Sequence, residues 1–151
     1  MEIRIYNDTE DREAVKDLWQ RVFGYQDARN EPGFVIDLKL SRQDGLFFIA
    51  RESQNLLGTI MAGYDGHRGW IYSLGVDPNS RLKGVGTALL RRAEQALSDL
   101  GCVKINLQIM DYNGRVQEFY RKNGYAAEPR ISMGKEISHN IPSRDFQKEG
   151  K

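Results

Sequence analysis

Residues 81–86 read Arg-Leu-Lys-Gly-Val-Gly, and the residues that follow, TALLRRAEQAL, repeat apolar side chains at helical spacing. Two glycines two positions apart, a basic pair and a helix start are the parts of an anion site. The first N–H groups of a helix have no internal partner and lie at the positive end of its dipole. Glycine lets the main chain come close to a bulky anion, and Arg81 and Lys83 add charge nearby. A phosphate held here would be gripped chiefly by backbone. The loop Gly-x-x-x-x-Gly-Lys-Ser/Thr occurs nowhere in the chain. The dinucleotide pattern Gly-x-Gly-x-x-Gly fails because Leu89 stands where its third glycine belongs. On the loop alone, an ordinary glycine-rich turn between strand and helix is an equal reading.

These residues need elements on both sides to place them. EIRIY (2–6) alternates and suits a strand, and Asp8 or Thr9 can cap a helix to about Phe23 with Val15, Leu18, Trp19 and Val22 on one face. GYQDARNEPG (24–33) is a loop by composition, followed by a short helix with Val35, Leu38 and Lys39 at helical spacing. LFFIARE (46–52), LLGTIMAGY (56–64) and WIYSLGVD (70–77) read as three antiparallel strands, joined near Gln54-Asn55 and by the turn DGHRG, and stopped by Pro78. A helix then runs from about Gly84 to Leu100, with Val85, Ala88, Leu89, Ala93, Ala96, Leu97 and Leu100 in one stripe and Gly101 as its stop. VKINLQIM (103–110) is a strand, and 113–123 a helix with Val116, Phe119 and Tyr120 on one face. YAAEPRISMGKEI (125–137) suggests two short strands broken at Pro129, and the polar residues 138–151 a flexible tail. Hairpins followed by strand–helix–strand units predict an α/β (α+β) domain over residues 1–137, with a mixed, mostly antiparallel sheet and helices on both faces.

Bulk properties narrow the function classes. A chain of 151 residues is long enough for one domain with its own core. With 22 basic against 21 acidic residues, bulk electrostatic binding of nucleic acid through Arg81, Lys83, Arg91 and Arg92 is disfavoured. The single cysteine, Cys102, excludes an internal disulfide and a cysteine-built metal site, and reads as a small core residue. No apolar run is long enough to span a membrane and the first residues do not resemble a signal peptide, so a cytoplasmic protein without membrane, nucleic-acid or metal partners is expected. A homodimer is compatible with this reading.

The context of the glycine loop is more specific than the loop. LGVDPNSRLKGVGTALL (74–90) resembles the acyl-coenzyme A-binding motif of the GNAT superfamily of N-acetyltransferases, and NGRVQEFYRKNGY (113–125) resembles its second signature, an Asn with a Tyr seven residues on and a closing Gly-aromatic pair. The resemblance spans about residues 1–137. It implies acetyl-CoA as co-substrate, with the pyrophosphate gripped by the backbone of Leu82, Lys83, Gly84, Val85, Gly86 and Thr87 and with Arg81 close by. It implies splayed central strands, Leu74–Val76 parting from Leu107–Ile109, so that main-chain groups of Leu74 and Val76 pair with the pantetheine arm. It also gives the Val76 amide the oxyanion, Asn113 the pantetheine chain, and Tyr120 the coenzyme sulfur. Two plainer roles stay open: Asn113 as a helix N-cap and Tyr120 as a core aromatic.

Acetyl transfer to an amine needs a neutral amine, help for the oxyanion and protection of the thiolate. A tyrosine near pKa ~10 giving its proton to a thiolate near ~8.5 runs uphill by about 2 kcal/mol, so hydrogen bonding describes Tyr120 better than proton donation. Many members of the family carry a glutamate on the strand before the loop or the strand after its helix. Here those places hold Trp70, Ile71 and Tyr72, and Leu107, Gln108 and Ile109, with no carboxylate. Asp65, Asp111, Tyr72 or a water are what remains for a base. Since an α-amine is about 10% neutral at pH 7 and a lysine side chain about 0.04%, an enzyme without a strong base favours an acceptor of modest pKa. The expected acceptor is a small-molecule or peptide amine, approached by Asp27 or Glu31 of the 24–33 loop, while His67 and Arg68 are exposed turn residues within reach of an anionic acceptor. The missing carboxylate leaves a catalytically silent acyl-CoA-binding module as the alternative.

Overall fold

The structure, a computed structural model, describes residues 1–25 and 27–137, so the tail reading of 138–151 lies outside the described residues. Among these residues five strands form one sheet in the order β1 (Glu2–Ile5), β2 (Phe47–Glu52), β3 (Asn55–Tyr64), β4 (Gly69–Val76), β5 (Ile105–Leu107). The first four pair antiparallel and β5 runs parallel to β4. Among the described residues four α-helices cover it: α1 (Asp8–Val22), α2 (Pro32–Ser41), α3 (Val85–Asp99) and α4 (Gly114–Lys122).

Alternation along the strands divides the core in two. Phe48, Ala50, Ile60, Ala62 and Ile71 face α3 and α4 and pack with Leu89, Leu90, Ala93, Leu97 and Tyr120. Phe47, Ile49 and Met61 face α1 and α2 and pack with Val15, Leu18, Trp19 and Ile36. Each fully buried Leu, Ile or Phe contributes ~1.5–3 kcal/mol, so both helix layers are held by ordinary apolar burial.

Several sequence expectations shift. The cap of α1 is Asn7, whose side chain accepts from the Glu10 N–H, rather than Asp8 or Thr9, which lie inside the helix. On α2 the buried residues are Pro32, Ile36 and Lys39, and Leu38 is exposed, because Pro32 starts the helix and sets its phase. The strand expected over 103–110 is ordered as a strand only at Ile105–Leu107. No strand forms in 125–137: this segment meets β5 through side chains, with Glu128 bonded to Lys104 (2.5 Å) and Asn106 (2.8 Å) and Ser132 to Gln108 (2.5 Å). Side-chain bridges supply no backbone ladder, and Ile131, Met133 and Ile137 stay exposed despite their alternation.

Candidate active site

Strand β4 stays with β5 for three residues. Gly69 pairs with Ile105, Trp70 with Asn106 and Ile71 with Leu107, and there the pairing ends, while β4 continues to Val76 along β3 alone. The β5-facing edge of residues 72–76 is therefore open.

A bulge sits at the start of this opening. Met61 pairs with Tyr72 and Thr59 with Gly75, so Ile60 alone opposes Ser73 and Leu74. Ser73 carries the bend at φ 52, a conformation that disfavours most residues with a Cβ. The bulge reverses the direction of the main-chain groups. The Gly69 N–H donates toward β5, to Lys104 O at 2.9 Å, whereas the Asp77 N–H donates toward β3, to Leu57 O at 2.8 Å. An unbroken strand would send both to one edge. Counting back from Asp77, the amides of Leu74 and Val76 face the opening. The Val76 carbonyl accepts from Arg81 Nε at 3.3 Å, which fastens the loop back onto β4.

Beyond Val76 the chain enters the glycine loop. Leu82 (φ 65) and Gly84 (φ 83) both adopt the left-handed conformation, on either side of Lys83, and the Leu82 side chain stands fully in solvent. Turns of this kind can aim neighbouring amides at a common point. Helices α1, α2 and α4 each begin on a side-chain cap, from Asn7, Glu31 and Asn113, whereas Gly84 gives α3 none. The first bond in α3 is the Ala88 N–H to Gly84 O at 3.0 Å, so the amides of Val85, Gly86 and Thr87 precede the ladder. The two glycines have different duties. Gly84 supplies the positive φ. Gly86 lets helices meet, since a Cβ there would lie 3.3 Å from the Phe119 ring and 3.6 Å from Val76.

Tyr120, buried on α4, stacks edge-on against Phe119 and Tyr125, at centroid distances of 5.1 and 5.5 Å. Burial pushes its hydroxyl up to about 12. Transfer of its proton to a thiolate near ~8.5 is then uphill by ~5 kcal/mol, at about 1.4 kcal/mol per pKa unit. Tyr120 lines an open groove of about 1500 Å³ that runs along β5, with Tyr72, Trp70, Gln108 and Asp111 also on its walls. Leu74, Val76 and residues 81–87 lie outside that lining. Phe119 joins the two regions, contacting Gly86 on one side and Tyr120 on the other.

The remaining sequence candidates fall into place by their bonds. Asn113 accepts from the Val116 N–H at 3.2 Å, which is the N-cap role. Glu31 caps α2 through the amides of Gly33 and Phe34, and Asp27 holds Arg29 at 2.9 Å. Both loop carboxylates are engaged locally. Asp65 accepts from the amides of Arg68 and His67 and from the Trp70 indole, contacts that hold it below the usual carboxylate range and away from base chemistry. The turn bearing His67 and Arg68 lies at the paired end of β4, opposite the opening. Arg92 is stacked over Phe48 at 4.6 Å, and Arg91 bonds Glu94 and Asn123. Cys102 is half-buried, its Sγ donating to Lys104 O at 3.3 Å. Sequence reasoning missed the bulge and the buried Lys39, whose ammonium bonds Asp44 (2.9 Å) and the Ala62 carbonyl and lies 5.4 Å from the Tyr72 ring centroid. A lysine on an otherwise apolar helix face is the only hint the sequence carries.

The profile of the acetyltransferase (GNAT) family matches residues 9–125. Among solved structures, glucosamine-6-phosphate N-acetyltransferase from Arabidopsis thaliana is similar at TM-score 0.66 and 22% identity, over 90% of this chain and 97% of that one. The aminoglycoside antibiotic 6'-N-acetyltransferase from Acinetobacter haemolyticus is similar at TM-score 0.71 and 17% identity, over 91% and 99%. An aminoglycoside N-acetyltransferase in complex with CoA is similar at TM-score 0.73 and 18% identity, over 90% and 94%.

Proposed function

The chain belongs to the acetyltransferase (GNAT) family, and from this we propose that it moves an acetyl group from acetyl-CoA to a primary amine by direct attack on the thioester. The observation that carries the reading is the parting of β4 from β5 after Ile71, with two amides turned into the gap and an uncapped helix at its far end. These features fit an acyl-CoA. The amides of Val85, Gly86 and Thr87 receive the pyrophosphate, with Arg81 and Lys83 beside them. The open edge of β4 offers the pantetheine arm a strand to pair with.

The amine nitrogen attacks the carbonyl carbon, and charge collects on the oxygen. The Val76 amide, already aimed at the gap, stabilises it. As the C–S bond breaks, the Tyr120 hydroxyl donates a hydrogen bond to the sulfur and keeps its proton. The amine's own proton leaves to water or to a rim group such as Asp111. Asn113 uses its oxygen on α4 and presents its amide nitrogen to the pantetheine chain.

The walls available to the acceptor carry aromatic and carboxamide groups with Asp111 at the rim. The other groove carboxylates, Glu94 and Glu128, are bonded to Tyr125 and to Lys104 and Asn106 respectively, and Asp27, Glu31 and Asp65 are occupied elsewhere. Such a site lacks the strong base that a lysine-type amine needs. The expected acceptor is an amino acid, peptide N-terminus or amino sugar, whose amine is ~10% neutral at pH 7 where a lysine side chain is ~0.04%. Thiol release from acetyl-CoA across amino acids, peptides, polyamines, aminoglycosides and amino sugars tests this. Turnover of lysine-type amines alone overturns the acceptor class. Binding of acetyl-CoA with no release for any amine would favour the second reading, a silent acyl-CoA-binding module, which the occupied carboxylates also support.

A further inference from the structure

Thr59 of β3 is fully buried, and its hydroxyl makes two hydrogen bonds. It accepts from the Trp19 indole Nε1 at 2.8 Å and donates to the Ser73 carbonyl at 2.9 Å. A valine would fill the same space, and a buried hydroxyl is tolerated only when partnered. The partners here are specific. Trp19 lies on the inner face of α1, and Ser73 is the left-handed residue of the β4 bulge. The same end of α1 touches β4 again. Phe23 covers Gly75 so closely that a Cβ at Gly75 would lie 2.9 Å from the ring.

The bulge decides which amides face the opening. In an unbroken strand the N–H groups of Ser73 and Gly75 would point there, and those of Leu74 and Val76 toward β3. The hydroxyl of Thr59 holds the carbonyl of Ser73, the residue that carries the bulge.

We propose that Thr59 and Trp19 are positioning residues: acting through the Ser73 carbonyl, they fix the β4 bulge and so aim the amides of Leu74 and Val76 into the gap between β4 and β5. The kinetic consequence rests on the acetyltransferase reading, whereas the backbone consequence does not. A donor displaced by about 1 Å loses ~10²-fold in rate, comparable to deleting an oxyanion donor outright.

The test pairs Thr59→Val, which keeps the shape and removes both bonds, with Thr59→Ser, which keeps the hydroxyl. With acetyl-CoA and a turned-over acceptor, Thr59→Val lowers kcat about 10- to 100-fold while KM for acetyl-CoA changes less than about threefold, because the pyrophosphate loop is untouched. Thr59→Ser keeps kcat within about threefold of the parent. Amide hydrogen exchange over residues 72–77 quickens in Thr59→Val, and not in Thr59→Ser, while β1 and β2 keep their protection. If Thr59→Val fails to fold, Trp19→Phe removes the indole donor together with some ring volume and leaves the Thr59 hydroxyl in place, and it is expected to quicken the same segment. A merely structural role would lower the melting temperature and leave both kcat per folded molecule and local exchange unchanged, and that result overturns the proposal. If the parent transfers acetyl to no amine, the functional reading fails, and exchange over 72–77 still decides the positioning role.

Discussion

Tyr120 and Glu31 each take their role from their surroundings rather than from their residue type. Tyr120 is buried among aromatic rings, and burial raises its hydroxyl to about 12. A raised value keeps it protonated throughout the working range. The rate should therefore rise with pH along the acceptor amine's own titration and show no fall between pH ~8 and ~10.5 from this group; a pH profile of kcat/KM checks this. Tyr120→Phe should lower kcat about 10-fold or more and leave acetyl-CoA binding within about threefold, as titration calorimetry would read it. Glu31 reads in the sequence as a contact for a cationic acceptor, yet both its oxygens cap α2. Glu31→Ala should cost ~1 kcal/mol of stability in a melt and leave acceptor preference alone. Neither outcome is visible in a residue string, because a carboxylate beside a proline-led helix start suits a cap and a binding loop equally well.

Helix α3 and strand β4 are the elements on which the site depends. The sequence places the start of α3 within a residue of where it lies, since Gly84 and the apolar stripe mark it. It cannot separate the two glycines. Gly84 stands at φ 83 with nothing near its missing Cβ, while Gly86 has ordinary helical backbone and sits against Phe119 and Val76. Gly84→Ala should cost about 1 kcal/mol through backbone strain and weaken acetyl-CoA binding several-fold by tilting the loop amides, measurable by melting and calorimetry. The ends of β5 and the segment after α4 were the least legible. VKINLQIM and RISMGKEI both alternate like strands, but a strand requires a partner's backbone, and past Leu107 and Tyr125 the contacts are between side chains.

At the scale of the whole molecule, Asp11 ties together β1, α1 and β2. Fully buried, it accepts from Arg4, from Arg51 and from the Asn7 N–H. Burial alone would raise its carboxyl, and the bonds from Arg4, Asn7 and Arg51 outweigh that and hold it below the usual range. A depressed folded-state value gives stability that is present above the unfolded value near ~3.9 and lost as pH falls through the folded one. Melts from pH 7 downward should show stability falling below pH ~4, and Asp11→Asn should remove about 3 kcal/mol at pH 7 and flatten that acid slope. The order of elements as far as α4, the buried stripes of α1 and α3, the glycine loop and the family signature were determined by sequence alone, because each depends on neighbours a few residues apart. The bulge at Ser73, the point after Ile71 at which β4 leaves β5 and the Trp19–Thr59–Ser73 chain were decided only in the tertiary structure. Each of these is a pairing between segments tens of residues apart, and hydrogen-bond partners at that distance follow from register and packing, which no local pattern carries.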